Sequence, residues 1–146
     1  MVGRRQELPM KNQTKGSVYP CLTYNDAEAA IKWLCRVFGF TKRLVVPDET
    51  GGVLHSELSL GSAVILVGSP RVENKRVSPL ELAGLHQMLS LYVPDPDGHH
   101  DCAVAEGAEV VQALENTHFG ARGYGVRDPE GHCWHFSSYI PGQYWA

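Results

Sequence analysis

Apolar and polar residues along this chain follow two periods in turn. SVYPCLTY (17–24) is a short apolar and aromatic run that predicts a strand. DAEAAIKWLCRVFG follows, with Ala30, Ile31, Leu34, Val37 and Phe38 at helical spacing, so these residues mark a buried stripe. Asn25 reads as the helix cap, with Glu28 completing a capping box, and Gly39 as the terminator. Trp33 is offset from the stripe and is a candidate subunit contact. FTKRLVVP predicts a strand and PDETGG a turn. VLHSELSL alternates with period two: Leu54, Ser56, Leu58 and Leu60 on one face, His55, Glu57 and Ser59 on the other. GSAVILVG is a further short strand.

The polar stretch from Ser69 to Leu85 carries two prolines and reads as a linker. The order then begins again. HQMLSLYV predicts a strand, Asp95 a cap, Pro96 a first helical turn, and DGHHDCAVAEG a weaker helix. AEVVQALEN, FGARGYGVRD and HCWHFSSY predict three more strands. Asp26 and Asp95 stand 69 positions apart, Gly39 and Gly107 68 apart, which marks an internal repeat. One strand–helix–three-strand copy is too small to cover its own sheet, whereas two copies can share a core and curl around a concave site. The predicted layout is a polar lead-in (1–17), a first module (18–69), a linker (70–85), a second module (86–140) and a short tail (141–146).

Composition removes several function classes. With 13 basic and 16 acidic residues the formal net charge is −3, which offers no basic surface for nucleic acid or anionic membrane. No apolar run approaches a membrane span, and the N-terminus lacks the apolar stretch of a secretory signal, so a cytoplasmic protein is expected. The four cysteines, Cys21, Cys35, Cys102 and Cys133, show no CxxC spacing and read as free buried thiols. No GxSxG, GxGxxG or P-loop is present, so no nucleotide cofactor is expected.

YPCLTYNDAEAAIKWLCRVFGF, GVLHSELSLGSAVILVG and GARGYGVRDPEGHCWHFSSYIP, in this order and spacing, resemble the vicinal oxygen chelate superfamily. That group includes glyoxalase I, extradiol dioxygenases, and fosfomycin- and bleomycin-resistance proteins, and the look is nearest to its PhnB-like branch. The resemblance implies an α+β fold of paired βαβββ modules, with curled mixed sheets around a shared cavity, usually in a homodimer. It also implies where metal ligands would stand: Tyr19, Ile65, Met88 and His135. Only His135 of these is a good ligand for a divalent metal, so the expected site holds no metal and no cofactor.

Two functions stay open. In the first, a metal-free cavity binds or sequesters a small organic molecule, with Tyr19, Cys21, Thr23, Met88, Ser90, Tyr92, Arg122, Tyr124 and His135 as candidate lining. In the second, a lyase, isomerase or dioxygenase of the glyoxalase kind uses His135, or His55 with Glu57, either as acid and base or as an atypical 2-His-1-carboxylate set. His99 and His100 fall in a polar stretch and are expected to be solvated. No membrane or nucleic-acid partner is expected.

Overall fold

A computed structural model describes residues 15–145. The first half forms β1 (Cys21–Thr23), α1 (Ala27–Phe38), β2 (Thr41–Pro47), β3 (Val53–Leu60) and β4 (Ala63–Gly68). The second forms β5 (Leu89–Tyr92), α2 (Pro96–Ala105), β6 (Glu109–Asn116), β7 (Arg122–Arg127) and β8 (Cys133–Ser137). Each half is a four-stranded mixed sheet, β1-β4-β3-β2 and β5-β8-β7-β6, in which the first strand runs parallel to the last and the others are antiparallel. This is the expected pair of βαβββ modules. Most of the predicted lead-in lies outside the described residues. Among those described, no helix is long and apolar enough to cross a membrane.

Both sheets turn one face toward the helices, and there they share one core. Ala30, Ile31, Leu34, Val37 and Phe38 are all buried, as the helical stripe requires. Phe38 reaches across the module boundary to Trp134 (ring centroids 5.3 Å apart) and Phe136 (4.7 Å). Burying a side chain of this size contributes about 2–3 kcal/mol, so such rings help bind the two modules together.

Local chemistry moves several expectations. The α1 cap is Asp26, whose Oδ1 accepts the Ala29 N–H at 3.0 Å; Asn25 lies one residue before it. Gly39 ends the helix in the left-handed conformation (φ 86°), as expected. Leu54 is exposed, not grouped with Ser56 and Leu58, because the β2–β3 register slips between Val46 and Pro47 and turns it outward. Ser56 is tolerated in the core because its hydroxyl donates to the Val67 carbonyl and accepts the Val67 N–H. None of the four thiols is fully buried: Cys21 and Cys102 are exposed, Cys35 and Cys133 half-buried, and all four are free.

His99 and His100 are not solvated as expected. His99 Nε2 donates to the Phe38 carbonyl that ends α1 (2.9 Å), and its Nδ1 accepts from the Tyr124 hydroxyl (2.6 Å). Its ring also packs on Phe136, with centroids 4.2 Å apart, while His100 stands edge-on to Tyr124. Burial lowers the His99 pKa below its ordinary value, against a smaller opposing pull from the Phe38 carbonyl. In the unfolded chain the same imidazole takes up a proton near pH 6.5, so the unfolded state binds more protons in the window below that. Stability is therefore full above about pH 6.5 and falls as the pH drops through it. Unfolding monitored between pH 7.5 and 5.5 should show this loss, and His99→Gln should flatten it.

Candidate functional site

The opposite faces of the two sheets are left open, and most of the candidate residues lie there. Alternation puts Cys21 and Thr23 of β1, His55, Glu57 and Ser59 of β3, and Val64 and Leu66 of β4 on the open face of the first sheet. On the second sheet the same rule places Ser90 and Tyr92 of β5 with Cys133, His135 and Ser137 of β8. Tyr19, Met88 and Tyr92 are all more than half exposed, so within one chain these faces form an uncovered surface. Thr23 is the exception among the candidates: it is buried, and its carbonyl accepts from His132 Nε2 at 3.0 Å.

Tyr19 and Met88, the matching positions ahead of β1 and β5, meet in one groove at the seam between the sheets. It measures about 590 Å³ and includes Val64 and Ser90. That volume suits a small organic ligand. Its walls offer a phenol, a thioether and aliphatic groups.

Two expected lining residues are elsewhere. Tyr124 is fully buried on the helix face, with its hydroxyl on His99 and its pKa raised, chiefly by burial. Arg122 shares that face and grips Asp97 of α2 through two bonds, Nε to Oδ2 at 2.9 Å and Nη2 to Oδ1 at 3.0 Å. The pairing holds the Asp97 carboxyl below the usual carboxylate range. The cause is strand alternation: Gly123 and Gly125 take the open-face positions, which sends residues 122, 124 and 126 to the helices. These glycines are also required by crowding. A Cβ at Gly123 would stand 2.6 Å from Ser137 Cβ and 3.1 Å from the His135 ring.

Register corrects one metal position. Leu66 pairs with Cys21 as His135 pairs with Ser90, and Cys21 and Ser90 each precede their helix cap by five residues. The counterpart of His135 is therefore Leu66, while Ile65 points into the core and is 2% exposed. The corrected quartet, Tyr19, Leu66, Met88 and His135, fits a divalent metal no better, because it still contains one imidazole. Among the described residues, no three His, Cys, Asp or Glu side chains are grouped to hold an ion, so His55, Glu57 and His135 do not converge within one chain.

What the open faces do offer is hydrogen bonding at two places. His55 Nε2 donates to Glu57 Oε2 at 2.8 Å, and both side chains are about two-fifths exposed. His135 is half-buried, and no hydrogen bond to its ring is formed among the described residues. Its Cε1 lies close to Gly123, 3.1 Å from where a Cβ there would stand.

The neighbouring RDPEGHCWHF motif is mostly a brace, which sequence reasoning missed. Asp128, 2% exposed, accepts the Tyr24 hydroxyl (2.6 Å) and Trp134 Nε1 (3.0 Å) on Oδ2, and the Glu130 and His132 amides on Oδ1. Burial, and then the charge of Asp128, raise the Tyr24 pKa well above normal, so the phenol stays a donor. Glu130 accepts the Asn25 N–H (2.6 Å), the Asp26 N–H (2.9 Å) and the Ser78 hydroxyl (2.6 Å). The turn after β7 thus ties the second module to the start of α1 and to the linker. Nothing near DPEG in the sequence points to these partners: Tyr24, Asn25 and Asp26 lie 104, 105 and 104 residues away and Ser78 lies 52 away.

Comparison with known proteins agrees with this architecture. The model of the Glyoxalase/Bleomycin resistance protein/Dioxygenase superfamily matches residues 16–136. The chain is 30% identical over 134 residues to the uncharacterized protein Rv0887c of Mycobacterium tuberculosis, covering 90% of this chain and 79% of that protein. The crystal structure of TioX from Micromonospora sp. ML1 superposes with a TM-score of 0.66 at 35% identity, covering 85% of this chain and all of TioX. The fosfomycin resistance protein FosX from Listeria monocytogenes, 12% identical, shares the fold with a TM-score of 0.63 over 88% of this chain and 94% of its own. With paired modules, a shared core and a matching family model, this chain belongs to the Glyoxalase/Bleomycin resistance protein/Dioxygenase superfamily.

Proposed function

We propose that this protein binds a small organic molecule on its open sheet faces without a metal ion, as a sequestering or resistance-type protein. The observation that carries this reading is the chemistry of those faces. The groove at Tyr19 and Met88 offers aromatic, thioether and aliphatic groups, and Ser90 at its wall pairs with the half-buried His135, whose ring has no hydrogen bond among the described residues. Such a surface favours a flat, largely apolar ligand that accepts or donates one hydrogen bond. Since the faces are uncovered in one chain, the working form is a homodimer in which a second copy closes them. Sequestration then acts by mass action, holding the ligand out of solution.

The test is thermal unfolding against planar aromatic compounds and aliphatic compounds of equal size. The aromatic set should raise the Tm, by an amount equivalent to about 2.7 kcal/mol at a hundredfold excess over Kd. His135→Ala should weaken binding about tenfold, the magnitude of one lost hydrogen bond in a desolvated site. Equal response to both sets, or an unchanged affinity in His135→Ala, would refute the reading.

The 2.8 Å His55–Glu57 pair supports a second reading, an acid–base lyase or isomerase of the glyoxalase kind. There Glu57 orients His55, and the imidazole moves the proton. Turnover of a bound carbonyl compound that disappears in His55→Gln, with binding retained, would establish it.

A further inference from the structure

On the helix side of the sheets a second hole opens, and it shares no lining residue with the groove at Tyr19 and Met88. It holds about 240 Å³ between α1 and the turn after β7. Ala29, Ala30, Trp33 and Pro129 line it. The indole is fixed, because Trp33 packs edge-on against Phe38 with centroids 4.8 Å apart. Two carboxylates reach the hole, Asp26 and Glu130, and no lysine or arginine lines it. Asp26 spends Oδ1 on its cap bond to the Ala29 amide, which leaves Oδ2 for a ligand. Glu130 is nine-tenths buried and accepts only the Asp26 N–H on Oε2.

We propose that this hole is a binding site for a small organic ammonium: a primary or quaternary amine attached to one ring or a short alkyl group. An aromatic face attracts such a cation and is worth more when partly desolvated. The two carboxylates outweigh the positive end of α1, which amounts to roughly half a charge. The volume lies below the roughly 300 Å³ of ordinary ligand sites, so one ring fills it. The alanines admit the apolar body, and the carboxylates fix the charged end. The site does not depend on the open faces. Its occupant would stiffen the brace that joins the modules, since Glu130 belongs to both.

The probe is phenethylammonium, compared with the uncharged phenethyl alcohol and the anionic phenylacetate. Titration of the full chain is followed through the Trp33 indole N–H resonance, assigned with Trp33→Phe. The ammonium should shift this signal, the alcohol less and the anion not at all. Asp26→Asn keeps a competent helix cap while removing the charge. It should weaken the ammonium about fivefold, the effect of one exposed charge pair, and leave the alcohol unchanged. Ala29→Leu, on an exposed helix position, should abolish both. His135→Ala should alter neither, which separates this site from the open faces. Equal binding of all three probes overturns the proposal. So does an unmoved Trp33 signal, or binding that survives Ala29→Leu.

Discussion

Asp128→Ala should destabilise the protein by about 4 kcal/mol or more, visible as a lower denaturant midpoint at neutral pH. The carboxylate accepts four hydrogen bonds. Two come from buried donors, the Tyr24 hydroxyl and Trp134 Nε1, which lose their carboxylate acceptor. Each stranded donor costs about 1–3 kcal/mol, and the turn loses both of its side-chain-to-amide bonds as well. Losses of this size are uncommon for single substitutions and point to a broken buried network. A double-mutant cycle with Tyr24→Phe should recover part of the loss, because that variant removes one of the stranded donors. Full additivity of the two changes would show that the 2.6 Å contact contributes little.

Glu130→Ala should cost about 3 kcal/mol, and its effect should be spatially specific. Its oxygens receive two amides at the entry to α1 and the Ser78 hydroxyl, which is itself fully buried. Losing them frees the linker and the first turn of α1 together. Hydrogen exchange should therefore quicken at Asn25, Asp26 and the residues around Ser78, with little change in β6. Uniform acceleration across both sheets would indicate that Glu130 contributes only to global stability. The two acids of one short turn thus govern how the halves are joined, while His135, seven residues after Asp128, faces the opposite side of the sheet.

Much of the architecture was legible because it rests on periodicity. The α1 stripe, the Gly39 terminator and the repeated element order are local signals, and each corresponds to a feature of the folded chain. Errors arose where one residue of register matters. Asn25 and Asp26 are both good caps, and only geometry distinguishes them. Alternation groups Leu54 with the core leucines, because a bulge leaves no mark in the pattern. Arg122 and Tyr124 belong to the helix face, which the Gly123–Gly125 pattern implies once the apolar Val126 is taken as core. His99 and the DPEG acids carried no readable signal: their partners, Phe38, Tyr124, Tyr24 and Asn25, are brought near only by the packing of one module on the other. Of the candidate site, the open-face placement of Cys21, Ser90, Tyr92 and His135 followed from strand alternation alone.

The most direct check on a metal-free binding surface is elemental analysis of the purified full chain, prepared without chelator. The geometry of Tyr19, Leu66, Met88 and His135 predicts transition metal far below one equivalent per chain, with thermal unfolding unchanged by EDTA. One tightly held equivalent that is lost in His135→Ala would contradict it.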